Sequence, residues 1–217
     1  MVSTTPLRIH PKMIVGLSGM IPGGVSIEDF CAVTKMTPID SRKFLNELLK
    51  NQIGTKQDDN YYFEDGDKLK TAIILLEQGF PIDEISIALN WRDFEGLTAE
   101  VLSSKDFAVI KNMILTKPRM EIDVIGIRLG VALLIDCKHW KRSNRSSLTN
   151  AVHKQIERTK KYVEKTPGSS AVPIIVTLYQ DEINFIENVP IVPIFKFASF
   201  VDEFYGNLDK MKTIGTN

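Results

Sequence analysis

The feature that most constrains this chain is a run of aliphatic residues that ends in charge. Val131–Ile135 is apolar at every position, and Asp136-Cys137-Lys138 follows it directly. A short run without any polar residue is typical of a strand covered on both faces of a sheet. Met120–Ile127 has the pattern of a neighbouring strand, and Arg128-Leu129-Gly130 predicts the turn between them. We therefore expect a hairpin whose second strand is central in a covered sheet.

Charged residues at the end of such a strand are not explained by packing, because an unpaired buried charge is costly. Side chains alternate along a strand, so Asp136 and Lys138 share one face while Cys137 and His139 point to the other. Asp123 belongs to the first strand of the hairpin, beside the apolar Ile122. The pattern thus predicts that two carboxylates and one amine converge at one end of the hairpin.

Two converging carboxylates predict a site for a divalent metal ion. Mg²⁺ is usually held by one or two carboxylates together with waters and substrate phosphate. Asp123 and Asp136 match that requirement, and the backbone carbonyl of Cys137 could supply a third oxygen. Lys138 could orient a water or offset the charge that builds on a phosphate. A structural ion pair between Asp136 and Lys138 is the alternative interpretation.

Residues 90–217 show a pattern of alternating helices and strands. An amphipathic helix from Trp91 precedes three strands, and a long polar helix over Leu148–Glu164 precedes the apolar strand Val172–Tyr179. Two short strands and a helix over Ala198–Leu208 close the segment. This order predicts an α/β (α+β) domain, in which a mixed sheet is flanked by helices.

The N-terminal part shows a different pattern. Residues 1–24 are rich in Gly and Pro and predict a loop or linker, and residues 25–89 predict a separate small domain. Ser26 is expected to cap a first helix, and Asp40 or Ser41 a second. A hairpin is expected over Thr55–Phe63, and further helices follow. This order resembles a winged helix-turn-helix domain, which would either dock on duplex DNA or contact another protein.

Three segments carry a more specific resemblance: Trp91–Glu95, Met120–Gly126 and Leu134–Trp140. Together they resemble the PD-(D/E)xK nuclease superfamily, and more narrowly its restriction-endonuclease-like members of the Mrr and Holliday-junction-resolvase type. The resemblance covers roughly Trp91–Phe204. It implies a metal-dependent endonuclease that uses Mg²⁺ or Mn²⁺.

The same resemblance implies a role for each matching residue. Asp123, Asp136 and, on the first core helix, Glu95 would hold the metal ion, and Lys138 would complete the catalytic set. Glu100, on the same helix, is the alternative to Glu95. The chain departs from the family pattern at two positions, because Ile122 stands where proline is common and Asp136 where glutamate is common. Neither departure removes a ligand.

Gln155 lies in the apolar stripe of the helix over Leu148–Glu164. It resembles the catalytic glutamine that Mrr- and RecB-like nucleases place after the D-x-K strand. The alternative interpretation is a buried glutamine that is hydrogen-bonded to the backbone.

Positive charge is concentrated in one stretch although the net charge of the chain is zero. Residues 136–165 contain 9 Lys or Arg against 3 Asp or Glu. A local basic stripe can bind nucleic-acid phosphates, although it can equally be a solvated helix face. The residues expected to contact nucleic acid are Arg42, Lys43, Lys141, Arg142, Lys154, Arg158 and Lys161.

Composition narrows the remaining choices. The apolar runs are strand-sized, there is no secretory signal pattern, and two cysteines cannot form a disulfide framework. We therefore expect a cytoplasmic protein without a membrane association. The predicted function is a DNA endonuclease, with a homodimer expected because duplex cleavage needs two sites. A nuclease acting on RNA and a non-catalytic DNA-binding or regulatory protein are the alternatives.

Overall fold

The computed structural model describes residues 11–140, 144–179 and 183–215. The chain forms two compact units, which divide between Asp93 and Phe94. Each unit has its own buried core.

The first unit combines short helices with a small antiparallel sheet. In the described residues its strands lie in the order β1-β3-β2. After a 3-10 helix over Pro11–Gly19, the elements are β1 (Gly23–Val25), α1 (Ile27–Thr34), α2 (Pro38–Lys50), β2 (Thr55–Gln57), β3 (Asn60–Phe63), α3 (Asp67–Glu77) and α4 (Ile82–Ala88). Two helices followed by a hairpin and further helices match the winged-helix order expected from the sequence.

Two local expectations in this unit were wrong. The Gly- and Pro-rich start is not all loop, because residues 11–19 form a 3-10 helix in which Leu17 is buried. The second helix begins at Pro38 and is capped by Thr37, whose hydroxyl accepts a 3.1 Å hydrogen bond from the Asp40 N–H. Proline breaks a helix interior but fits its first turn, so the Thr-Pro pair marks a start here.

The second unit contains the larger sheet and three long helices. Its elements are α5 (Trp91–Ser103), β4 (Ala108–Leu115), β5 (Met120–Arg128), β6 (Val131–Lys138), α6 (Arg145–Lys165), β7 (Ser170–Thr177), β8 (Phe185–Ile186), β9 (Val189–Pro193), α7 (Ile194–Glu203), a 3-10 helix (Tyr205–Lys210) and β10 (Ile214–Gly215). The first three residues of α5 precede the division between the units.

The seven strands described in this unit form one mixed sheet. Their order is β4-β5-β6-β7-β9-β8, and β10 pairs with the start of β7. The β4-β5-β6 pairs are antiparallel, whereas β6-β7 and β7-β9 are parallel. Helices pack on the two faces, so the predicted mixed α/β (α+β) fold is confirmed.

Strand β6 is central, as its composition requires. Leu133, Leu134 and Ile135 are completely buried, because β5 and β7 flank the strand and helices cover both faces. The hairpin turns tightly at Leu129 and Gly130, which both have positive φ angles (48° and 77°). Two consecutive residues of this kind form the turn type that matches the twist of paired strands. The turn fixes the register of β5 against β6.

Candidate active site at the end of the central hairpin

Strands β5 and β6 separate where the candidate site begins. Their last backbone pair on this side is Val124 with Ile135. One position further, the Asp123 carboxylate accepts a 2.7 Å hydrogen bond from the Cys137 N–H. A side chain thus holds the strands together where the backbone ladder ends.

Asp136 lies on the face of β6 that carries α6. The residue is almost completely buried, with 1% of its surface exposed. Arg158 Nη1 on α6 donates a 2.7 Å hydrogen bond to Asp136 Oδ1, and Lys138 Nζ lies 2.7 Å from Oδ2. That second contact is an ion pair without hydrogen-bond geometry, so Oδ2 has no hydrogen-bond partner among the described residues.

Cys137 points to the opposite face of the strand, as the alternation of side chains predicts. Its sulfur lies 3.6 Å from the Thr98 hydroxyl on α5. Burial raises the pKa of the Cys137 thiol well above its ordinary value, with the charge of Asp123 adding to the effect. The sulfur is therefore a neutral packing atom. The neighbouring His139 ring packs edge-on against Phe94, with ring centroids 5.2 Å apart.

Helix α5 brings a third carboxyl group to the same end of the hairpin. Glu95 is buried, and burial together with the charges of Asp123, Glu121 and Asp136 raises its pKa to about 7, although Lys138 opposes this. Burial and the charge of Asp136 also raise the pKa of Asp123 to about 6, against the hydrogen bond from Cys137 and the nearby cations. Burial and the repulsion between neighbouring carboxylates thus disfavour the charged forms of Glu95 and Asp123 at this site.

Helix α5 packs closely on the sheet at Gly126 of β5. A Cβ atom at Gly126 would lie 2.8 Å from a Leu102 methyl group and 3.2 Å from the Phe107 ring. The absent side chain thus leaves room for Leu102, which belongs to the same helix as Glu95.

Gln155 is completely buried beneath β6. Its amide Nε2 donates a 2.8 Å hydrogen bond to the Leu134 carbonyl, and its Oε1 accepts a 3.2 Å hydrogen bond from Arg158. Gln155 therefore has the backbone bond that the alternative interpretation expected. The structure adds a second contact, through which Gln155 helps to fix the guanidinium of Arg158.

The expected nucleic-acid contacts are placed in different ways. Arg158 does not belong to an exposed basic stripe on α6, because its side chain reaches Asp136. Lys154 is exposed, and Lys161 forms a 2.6 Å ion pair with Glu164. On α2 of the first unit, both expected cationic side chains are exposed; they are Arg42 and Lys43. The remaining two lie outside the described residues; they are Lys141 and Arg142.

Two contacts of the site were not expected from the sequence: the Asp123–Cys137 hydrogen bond and the Arg158–Asp136 pair. The second had a usable signal. Residues three positions apart are neighbours on a helix, so Arg158 lies beside the inward-facing Gln155. A buried aspartate at the end of an apolar strand needs a cationic partner. The first contact depends on where two strands stop pairing, which local sequence does not encode.

The donor set fits a hydrated divalent cation better than a closed protein cage. Within residues 11–140, 144–179 and 183–215, no three His, Cys, Asp or Glu side chains are grouped closely enough to enclose a metal. The carboxyl oxygens of Asp136, Asp123 and Glu95 are nevertheless hard donors, and Oδ2 of Asp136 accepts no hydrogen bond from the described residues although Lys138 lies against it. Mg²⁺ commonly keeps several waters and binds one or two carboxylates, so these residues fit it.

Sequence comparison finds an uncharacterized relative. An uncharacterized protein of Archaeoglobus fulgidus is 27% identical over 121 residues, which cover 54% of this chain and 93% of the relative. No protein-family model matches the chain. Among the helices in the described ranges, none is long and apolar enough to cross a membrane.

Three solved structures show partial similarity. The protein VC1899 from Vibrio cholerae matches with a TM-score of 0.48 and 10% identity, over 92% of this chain and 51% of that one. Can2 from Sulfobacillus thermosulfidooxidans, solved with cyclic tetra-adenylate, gives a TM-score of 0.40 and 13% identity over 75% and 44% of the two chains. The protein of unknown function AF1548 gives 0.33 and 18%, over 55% of each. The chain spans about half the length of these structures, so functional conclusions depend on its own site residues.

Proposed function

We propose that this protein is a metal-dependent nuclease of the PD-(D/E)xK type that hydrolyses phosphodiester bonds in DNA. One observation carries the proposal. Asp123 and Asp136 both lie where β5 and β6 separate, and Lys138 lies 2.7 Å from Asp136. The charges of both carboxylates also help to raise the pKa of the neighbouring Glu95. The resemblance seen in the sequence assigns the nuclease roles to the same four residues.

The carboxylates would hold the cation and the lysine would act on the water. Asp136 and Asp123 would bind Mg²⁺ or Mn²⁺, assisted by Glu95 and the Cys137 carbonyl. A cation bound there supplies positive charge for the phosphate and makes water more acidic. Lys138 shares the face of Asp136, so its ammonium can hold the attacking water or donate to the phosphate.

Glu95 would serve the reaction as a carboxylate. Without metal its pKa is about 7 because of burial and the neighbouring carboxylates. A divalent cation bound beside it would lower that pKa and favour the charged form, so in the proposed reaction Glu95 helps to hold the cation. Gln155 would act by fixing neighbouring groups, since both ends of its amide already have partners.

The first unit would add affinity for the duplex. Helix α2 takes the place of the recognition helix of a winged helix, and Arg42 and Lys43 are exposed on it. Such contacts go to the backbone phosphates and are independent of base sequence. A homodimer is proposed as well, because one site cuts one strand and a double-strand cut needs two.

A second candidate function is supported by the ion pairs at Asp136. In the structure this carboxylate is neutralised by both Lys138 and Arg158. A salt-bridged carboxylate can serve as a structural link, and then the protein would bind nucleic acid without cutting it. This candidate predicts binding without turnover under every metal condition.

The test is cleavage of plasmid, linear duplex, branched DNA and single-stranded RNA, with Mg²⁺, with Mn²⁺ and with a chelator. We expect metal-dependent cuts in DNA, and loss of at least about a hundredfold in rate for Asp123→Asn and Asp136→Asn, because each removes a charged oxygen ligand. Asp202→Asn is the matched control, since Asp202 is an exposed carboxylate that pairs with Lys105 on another part of the unit.

The outcomes separate the candidates. Cleavage of RNA alone would redirect the substrate assignment, while binding without cleavage would favour the non-catalytic protein. Equal rates for wild type and the two aspartate variants would remove the site assignment.

A further inference from the structure

Arg158 is the residue whose position the proposed reaction does not explain. Its Nη1 lies 2.7 Å from Asp136 Oδ1 and 3.2 Å from Gln155 Oε1. The Arg158 side chain is 22% exposed to solvent, so it reaches from the helix surface into the site. Gln155 in turn donates a hydrogen bond to the Leu134 carbonyl, so a chain of two hydrogen bonds links β6 to the guanidinium.

The guanidinium binds the same carboxylate that a metal ion would need. Asp136 has two carboxylate oxygens; Arg158 binds Oδ1 and Lys138 lies against Oδ2. A divalent cation at this carboxylate would repel both cationic side chains and compete with them for its negative charge, so their ion pairs would weaken. Arg158 is the partner with the longer reach, and arginine is well suited to bind phosphate oxygens once it is released.

We propose that Arg158 is a phosphate-binding residue that competes with the divalent cation for Asp136. Without metal, its guanidinium neutralises the buried carboxylate. When a cation takes over that carboxylate, the guanidinium is free to bind the phosphate of the substrate. Metal binding and substrate binding would therefore be coupled through one side chain. This inference rests on the proposed function.

The competition predicts opposite changes in two affinities. Arg158→Gln should bind Mn²⁺ or Ca²⁺ about tenfold more tightly, because a charge-assisted hydrogen bond to the carboxylate no longer opposes the ion. The same variant should bind duplex DNA about tenfold more weakly when Ca²⁺ is present, since the released guanidinium is missing. Metal affinity is measured by calorimetry and by Mn²⁺ electron paramagnetic resonance without substrate, and DNA affinity by fluorescence anisotropy.

Two variants control for charge and for folding. Lys154→Gln removes one positive charge four residues earlier on the same helix, where the side chain is exposed. It should weaken DNA binding yet leave metal affinity within about twofold of wild type, because exposed charges are screened. Arg158→Lys keeps the positive charge and should return metal affinity toward wild type. If Arg158→Gln is unstable, Arg158→Met and the increase of its Tm on adding Ca²⁺ provide the same comparison.

The results distinguish this inference from the nuclease assignment. If the wild type binds neither Mn²⁺ nor Ca²⁺, both are overturned. If it binds metal and Arg158→Gln binds metal equally or more weakly, Arg158 is a structural partner of Asp136 and only the competition is rejected. Tighter metal binding with unchanged DNA binding would reject the phosphate role.

Discussion

The carboxylate of Asp123 accepts the backbone N–H of Cys137 at 2.7 Å, one position beyond the last pair of the β5–β6 ladder. One oxygen of this residue thus belongs to the architecture of the hairpin, and the proposed function assigns the other to the metal ion. The choice of substitution at residue 123 therefore decides which of the two roles is tested.

Asp123→Asn should keep the fold, because an amide oxygen still accepts the hydrogen bond from Cys137. Asp123→Ala leaves that N–H without its partner and should lower the free energy of unfolding by about 1–3 kcal/mol relative to the asparagine variant. Urea unfolding without divalent ions measures the difference. Both variants should lose cleavage. Equal unfolding free energies of the alanine and asparagine variants would contradict the prediction and show that water replaces the carboxylate as partner of the Cys137 N–H.

Lys138→Ala should reduce the cleavage rate by at least about a hundredfold without weakening metal binding, because an ammonium is not a ligand for a cation. Extra Mg²⁺ should not restore the rate, whereas it can compensate for a weakened ligand. A Mg²⁺ titration of cleavage makes the comparison. Lys111→Ala is the control, since Lys111 is exposed on the edge strand β4. Full rescue at high Mg²⁺ would reassign Lys138 to the ion pair with Asp136.

Stability without metal should fall as pH rises through the titration of two carboxyls. The folded-state pKa values of Glu95 and Asp123 are about 7 and about 6, above their ordinary 4.5 and 3.8. The folded state therefore binds these protons more tightly than the unfolded state, and the stabilisation present below about pH 4 is lost by about pH 7. Relative to the Glu95→Gln, Asp123→Asn double variant, the Tm of the wild type should therefore fall as the pH rises from about 4 to about 7. A constant difference from pH 4 to pH 8 would contradict it.

The first unit should contribute phosphate contacts through α2. In the double variant Arg42→Gln, Lys43→Gln, the slope of log affinity against log salt concentration should become less steep by about 0.9 per lost contact on duplex DNA. Anisotropy titrations at several salt concentrations give the slope. The control is Lys50→Gln, which removes a charge already paired with Glu47 at the end of the same helix. An unchanged slope in the double variant would assign α2 to protein contact or to a solvated face.

Strong local patterns already determined much of the architecture. The aliphatic run Val131–Ile135 specified a covered strand, and its charged end placed Asp136 and Lys138 on one face. Ser26 ends up as the cap of α1, as its position before an acidic first turn predicts. These expectations succeed because periodicity and capping depend on residues close together in sequence.

Tertiary structure decided which groups meet at the site. The Asp123–Cys137 hydrogen bond requires the register of two strands, and the Arg158–Asp136 pair requires α6 to lie against β6 at one particular height. The sequence by itself supplied the carboxylates and the lysine of the candidate site. Only packing determined that a guanidinium occupies one of those carboxylates, because long side chains choose partners by distance in space and by the cost of leaving a buried charge unpaired.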